Sequence, residues 1–242
     1  EEAKEAVGSM GDDTPTAVLS DRYRPLSHFF RQNFSQVTNP PIDSLRENEV
    51  MSLKTRFGNL RNILDFENVP IDNIYVLDSP ILSNSQFKKF TVFFKNNLKV
   101  LDCTFNVQNN LKERLDQLSF EAEIAVREGC KHLILSDKQL SEKKAAVPMI
   151  LAFGAINSKL VNLGIRGFVS INVQTGEVLD THSFAVLLGV GATTINPYLA
   201  FDSIYQRYEK KLFGKFSYEE CIQRYIKSVN NGLLKIMSKM GI

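Results

Sequence analysis

From residue 74 onward the chain repeats one unit: a short apolar or β-branched run that ends on a polar residue, then a loop, then an amphipathic helix. The runs are Ile74–Asp78, Val100–Phe105, His132–Asp137, Phe168–Val173 and Thr193–Pro197. Strands apolar on both faces suit a parallel sheet, because each crossover lays a helix over the sheet and no face meets water. Glycine stands at the helix-to-strand joint of three units, at Gly129, Gly164 and Gly189–Gly191. That joint favours the positive φ that glycine adopts without strain. The helices between are periodic. Leu111, Leu115, Leu118, Ala122 and Ala125 form one stripe; Ile150, Leu151, Phe153, Ile156 and Leu160 predict a more buried helix; residues 218–240 predict a long closing helix. The expected fold is α/β, with parallel βα repeats forming an open or incomplete TIM-like barrel, since these runs are too few for an eight-stranded one.

The first third reads differently. Asp12-Asp13-Thr14-Pro15 offers helix caps before Ala17-Val18-Leu19, and a helix is predicted over 26–34 with Leu26, Phe29, Phe30 and Phe34 on one face. Pro40 and Pro41 hold the next segment extended, and Asp43 is placed to cap a helix over 44–57. The predicted organisation is one domain, 1–242, with a helical extension (1–70) packed on a βα core (71–242). The chain opens on an acidic stretch without an initiator Met, so it is expected to be a piece of something longer.

Charge excludes several partners. A net charge of +2 with cations scattered among acids gives no reason to expect nucleic acid or a membrane. The basic and aromatic residues of Tyr205–Lys211 share a helix with Glu209, which reads as a solvated face. No apolar run reaches the roughly 18 residues of a membrane span. Cys103, Cys130 and Cys221 are far apart and lack CxxC spacing, so free thiols are expected.

Ligands in α/β folds collect at the C-terminal ends of parallel strands, where Asp78, Asp102, Asp137, Asn172 and Asn196 fall. The simplest reading has these residues cap the following helices; the alternative has the carboxylates bind a metal or serve as acid and base. Gly189–Thr194 resembles a phosphate loop, yet its glycines run from helix into strand, the reverse of a dinucleotide fingerprint. Asp180, His182 and Ser183 have triad residue types but stand too close along the chain to relay protons. His28, His132 and His182 are read as packed or solvated. Gly8–Asp13 lacks a P-loop ending.

The unusual loops are also the familiar ones. Val7–Pro15 with Ala17–Ser20, Gln36–Asp43 with Arg46-Glu47 and Met51–Leu53, Leu77–Leu82, Leu133–Asp137, Leu187–Gly189 with Gly191-Ala192, Asn196–Ala200, and the closing Gly232–Ile242 together resemble the central domain of glutamate synthase over the whole chain. One stretch departs: where the family carries an arginine and paired histidines, this chain has Leu179, His182 and Ser183.

The resemblance implies an enzyme that moves glutamine's amide nitrogen to 2-oxoglutarate, forming two glutamates. It implies a glutaminase domain and an FMN domain with an iron–sulfur cluster on the same polypeptide, and a reductase subunit or ferredoxin as partner. The compartment implied is the cytoplasm or a plastid stroma. The chain itself is expected to carry no catalytic, cofactor or metal site. Its expected role is to space the active sites and help wall an ammonia tunnel. Thr38, Asn39, Pro40, Pro41 and Ile42 are expected to line that tunnel, because the prolines fix the backbone and leave carbonyls free to accept hydrogen bonds. Ser9, Met10, Gly11, Asp12 and Asp13 are expected to form a domain-interface loop. Two alternatives stand: a free-standing α/β-barrel enzyme that uses Asp78, Asp102 and Asp137 on a small anionic metabolite, and a subunit-assembly module.

Overall fold

A computed structural model describes residues 24–30, 46–58 and 74–240. Eight strands are described in it: β1 (Thr55–Phe57), β2 (Tyr75–Leu77), β3 (Leu98–Asp102), β4 (Thr104–Asn106), β5 (His132–Ser136), β6 (Lys144–Ala146), β7 (Ser170–Gln174) and β8 (Thr194–Asn196). The described α-helices are α1 (Glu47–Val50), α2 (Asn84–Phe93), α3 (Leu111–Arg127), α4 (Met149–Asn162), α5 (Thr181–Gly189), α6 (Tyr198–Glu209) and α7 (Tyr218–Met240).

The heart of the fold is a parallel sheet in the order β3-β5-β7-β8. Strand order follows chain order and never reverses. A doubly wound sheet would reverse and divide its helices between two faces; a barrel does not. Here α3, α4 and α5 all pack on one face, in one core with Leu101, Leu133, Leu135, Ile171, Val173 and Ile195. No closed barrel forms among the described strands, which matches the expected incomplete barrel. Beyond β8, residues 80–82 lie along its free edge: Leu82 N–H donates to Ile195 O at 2.9 Å and Ile195 N–H to Pro80 O at 2.8 Å.

Gly129, Gly164 and Gly191 follow α3, α4 and α5 with φ of +92°, +70° and +113°, as the joints required. The long closing helix is present over Tyr218–Met240, its apolar stripe buried through Ile222, Ile226, Val229 and Leu233.

Three local expectations fail. Of the helix predicted over 26–34, the described part is a 3-10 turn, Leu26–Phe29, with Phe30 extended, and residues 31–34 lie outside the described residues. Of the helix predicted over 44–57, the described residues 46–57 hold only α1, and Thr55–Phe57 is a strand. β1 pairs antiparallel with β2, so the first apolar run leaves the parallel sheet altogether. The physical reason is the second face of that sheet. Phe57, Leu77, Leu82 and Phe90 pack with Ile134 into a second apolar cluster, drawing the β1–β2 ladder and α2 over it. Tertiary burial outweighs the weak helical preference of a short segment.

Candidate functional site

Successive residues of a strand face opposite sides, and the side of the sheet away from α3–α5 is polar across β7 and β8 and mixed in β5, where Ile134 joins the second apolar cluster. In β7 the alternation reads Ser170, Asn172, Gln174; in β8, Thr194, Asn196; in β5, His132, Ile134, Ser136. The expectation of strands apolar on both faces therefore holds for one face only. Two rungs of side-chain hydrogen bonds cross the strands. In the first, Thr194 Oγ1 donates to Asn172 Oδ1 (2.7 Å), Asn172 Nδ2 donates to Ser170 Oγ (3.0 Å) and Leu133 O (3.2 Å), and Ser170 Oγ meets His132 Nδ1 (2.8 Å). In the second, Ser136 Oγ donates to Gln174 Oε1 (2.9 Å), Gln174 Nε2 to Asn196 Oδ1 (3.1 Å), and Asn196 Nδ2 to Leu82 O (2.9 Å) and Asn84 Oδ1 (3.0 Å). Among the described residues no buried side-chain nitrogen or oxygen lacks a partner. Burial on this face costs little only because each rung is closed.

The strand-end residues do not cap helices. Asp102 Oδ1 accepts from Thr104 N–H (3.1 Å) and Thr104 Oγ1 (2.7 Å), while Asn110 caps α3. Asp137 is buried and accepts from Thr175 Oγ1 (2.5 Å) and Gly176 N–H (3.0 Å to Oδ2). The α4 amide of Met149 is met by Glu177, from the next βα loop (3.1 Å to Oε2). Asp78 is almost wholly exposed, Ser83 caps α2, and Asn172 and Asn196 belong to the rungs. Ser83 and Asn110 immediately precede the helices they cap, whereas Glu177 reaches the start of α4 from a loop 28 positions away, which no local spacing encodes.

The result is a clamped loop. Asp137 holds Thr175 and Gly176, and Glu177 holds α4. Gly176 sits under Tyr198, where a Cβ would stand 3.1 Å from the phenol oxygen. Burial and the nearby Asp137 carboxylate push the Tyr198 hydroxyl well above its ordinary value. Burial likewise raises the Glu177 carboxyl, partly offset by the Met149 N–H.

Asp78, Asp102 and Asp137 therefore share no site: one is solvated, one ends an edge strand and one is sealed. Asp102 borders a cleft of about 350 Å³, lined also by Thr104, Asn106, Arg114 and Lys144. Arg114 there is spent on Asp102 O (2.7 Å), Thr104 O (3.2 Å) and Glu121 (2.8 Å).

His132 is buried against Phe57, Phe90 and Phe94. Burial, with Lys131 nearby, lowers its pKa to about 4, so the ring is neutral at pH 7. Asp180 caps α5 and binds Ser183, and His182 turns to Ser27 instead, so no relay exists. Gly189–Thr194 joins α5 to β8, and its Gly191 O accepts from the Arg166 guanidinium (3.1 Å). The three cysteines are free, and burial pushes the Cys103 thiol up to about 12. Cys103 and Cys130 lie between elements and Cys221 on α7, and no metal-holding group of His, Cys, Asp or Glu occurs among the described residues. They do not fit the four-thiolate set of an iron–sulfur cluster. No described helix is long and apolar enough to cross a membrane. The residues expected to line a tunnel (Thr38, Asn39, Pro40, Pro41, Ile42) and to form an interface loop (Ser9, Met10, Gly11, Asp12, Asp13) lie outside the described residues.

Fold and site together define an α/β domain of partial-barrel type whose strand-end polar groups are turned on one another. The family model of the glutamate synthase central domain matches residues 1–242, and the chain belongs to that family. It is 52% identical over 245 residues to the glutamate synthase (NADPH) large chain of Azospirillum brasilense. It is 41% identical over 241 residues to the glutamate synthase (NADPH) large chain of Bacillus subtilis (strain 168), and 41% over 256 to the chloroplastic ferredoxin-dependent glutamate synthase of Oryza sativa subsp. japonica. Each alignment covers all of this chain and 16% of the relative, so the chain spans about a sixth of their length. Among solved structures, a flavocytochrome b2 mutant aligns with 66% of this chain and 36% of its own, at 15% identity and a TM-score of 0.41.

Proposed function

We propose that this chain is the non-catalytic central domain of a glutamate synthase, joining a glutaminase domain to an FMN domain and helping to wall an ammonia tunnel between them. The parent enzyme makes glutamate from glutamine and 2-oxoglutarate. FMN and an iron–sulfur cluster belong to its other domains, and NADPH or ferredoxin, the donors named in the relatives, supplies electrons. Its compartment is the cytoplasm or, for a plastid enzyme, the stroma.

The observation that carries this reading is a family match over the whole chain, in relatives six times as long. The geometry agrees. Asp78, Asp102 and Asp137 do not converge, which disfavours a free-standing barrel enzyme. The rings of Tyr75 and half-exposed Phe93 meet in a tilted pair at 5.0 Å, and Val92 of α2 is exposed as well, apolar surface suited to a neighbouring domain. Residues 1–242 act as one domain, with 1–70 an extension on the core, and the 9–13 loop meets a neighbouring domain.

Thr38–Ile42 lines the tunnel in this proposal, with Ile42 excluding bulk water. The test is Ile42→Gly in the full-length enzyme, reading glutamine hydrolysed per 2-oxoglutarate aminated. Leakage of ammonia should raise that ratio above unity; a ratio held at unity removes the tunnel role from this segment.

A further inference from the structure

The parallel sheet has two edges, and the chain treats them differently. Along β8, residues 80–82 run parallel with Ile81 opposite Ile195, and two backbone bonds close the pairing. Along β3 no strand pairs on the outer side among the described residues. Backbone groups point in and out at alternate residues of a strand, so an edge strand turns half of them away from its sheet. Cys103 N–H faces inward and donates to Ser136 O of β5 at 2.7 Å. Asp102 O faces outward and is taken by Arg114 Nη2 at 2.7 Å. Val100, two residues back, turns its N–H and C=O outward as well, where neither has a partner among the described residues.

The side chains beside this edge form an unfinished apolar margin. Val100 shares a side of β3 with Leu98, which packs with Tyr75, Phe87 and Phe94 on the second apolar cluster. Leu101, on the other side, is buried in the main core. Val100 is 51% exposed, and Val92 and Phe93 at the end of α2 are exposed as well. The Phe93 ring meets Phe94 at 4.8 Å and Tyr75 at 5.0 Å, so the exposed ring is continuous with the cluster.

Positive charge frames the margin. Lys88 and Lys89 stand one turn before Val92 and Phe93 on α2, at the spacing that puts them on the same faces. Lys95 lies in the 3-10 turn that leads to β3 and Lys99 in β3 itself. Lys131 lies beside them, its N–H donating to Asn97 O at 2.9 Å. All five lysines are exposed, and none forms an ion pair with another described residue.

We infer that β3 is the docking edge for an extended acidic segment of the parent polypeptide, from outside residues 1–242, which joins the sheet as a further strand. This rests on the longer parent proposed above. The chain covers 16% of its Azospirillum brasilense relative, so most of such a polypeptide is available to supply the strand. Main-chain bonds to Val100 give the pairing, and alternate side chains decide which segment enters. Apolar side chains of the segment lie on Val92, Phe93 and Val100. Its Asp and Glu residues meet Lys95, Lys99 and Lys131. A second copy of this chain fits poorly: residues 95–101 carry no carboxylate to meet those lysines, and Asp102 O is already held by Arg114.

The experiment uses the native full-length enzyme, with normal and isotope-labelled copies mixed, and a zero-length carbodiimide that joins lysine amines to carboxylates in contact. Peptide mass spectrometry should find Lys95, Lys99 or Lys131 joined to an Asp or Glu outside 1–242 in the same copy. Joining to a second copy, only to residues within 1–242, or to nothing overturns the inference. The Val100 amide should exchange about 100-fold more slowly than an open-edge amide; free exchange overturns the inference too. Val100→Pro removes an N–H that this chain's own sheet does not use. It should raise exchange in the cross-linked segment about ten-fold or more while β5 and β7 stay protected. If β5 and β7 open as well, Lys99→Glu decides: it leaves the backbone alone and should raise exchange in the segment about five-fold. A segment as protected in Lys99→Glu as in the native enzyme overturns the inference. A native polypeptide no longer than this chain removes the parent reading and the docked segment with it. A long, flavin-bearing polypeptide whose Val100 amide exchanges freely removes the docking edge alone.

Discussion

The two faces of the parallel sheet are built from alternate residues of the same four strands, and opposite physics holds them. Toward α3–α5, Leu101, Leu133, Leu135, Ile171, Val173 and Ile195 present apolar groups to buried Phe153, Ile156 and Phe184. That face is non-directional: any shapes that fill the space at crystal-like density would do. Toward α2 and the β1–β2 ladder, Ser170, Asn172, Gln174, Thr194 and Asn196 form closed rungs. That face is directional. Ser136, Gln174 and Asn196 are aligned strand to strand, and a slip of one residue would break the second rung while exposing apolar side chains. The first face supplies stability and the second supplies register.

The largest test of this contrast is Phe153→Ala, which empties the centre of the apolar face. It should cost about 4 kcal/mol, read as the free energy of opening from amide exchange of α4 and β7 in the full-length protein. A loss under about 1 kcal/mol would mean that this face is not the main source of stability.

Next is Asn172→Val on the polar face. It strands Thr194 Oγ1 and removes the side-chain donor to Ser170 Oγ, and should cost about 2 kcal/mol. Adding Thr194→Val removes the stranded hydroxyl and should recover about half of the loss. Losses that simply add would show that the rung is not a unit.

The smallest effect is pH-dependent. The folded pKa of His132, about 4, lies below its ordinary value of 6.5. Above pH 6.5 the ring is neutral in both states and its contribution is fully present. As pH falls from 6.5 toward 4 the unfolded chain binds the proton first, so stability drops across that window and levels off below it. The drop should be about 1–2 kcal/mol, discounted for partial hydration of the ring. It should be absent in His132→Gln, with exchange of β5 between pH 7 and 4.5 as the readout. An unchanged slope in the variant would place the titration elsewhere.

Much of the fold was legible. The βα repeats, the three joint glycines and α7 follow from local patterns, as does the partial barrel, because each depends on residues a few positions apart. The polar face was legible too: Ser170-Ile171-Asn172-Val173-Gln174 alternates with period two, which marks one polar face and not a strand apolar on both. The caps were a different matter. Asp78, Asp102 and Asp137 look like caps in sequence, yet Ser83, Asn110 and Glu177 do that work. Ser83 and Asn110 immediately precede their helices, so local sequence encodes them. Glu177 lies 28 positions beyond Met149, and local sequence does not encode it.

The sequence by itself determined the strands and helices of the parallel βα repeats, where those helices stop, and that helices would cover the sheet, because periodicity and backbone preference act over one or two turns. Only the tertiary structure decided that the first apolar run pairs with Thr55–Phe57, that Glu177 reaches the start of α4, and that His182 holds Ser27. Those are matches between groups far apart in the chain. Their energies come from desolvated hydrogen bonds and shared apolar surface, which exist only once the chain has closed around them.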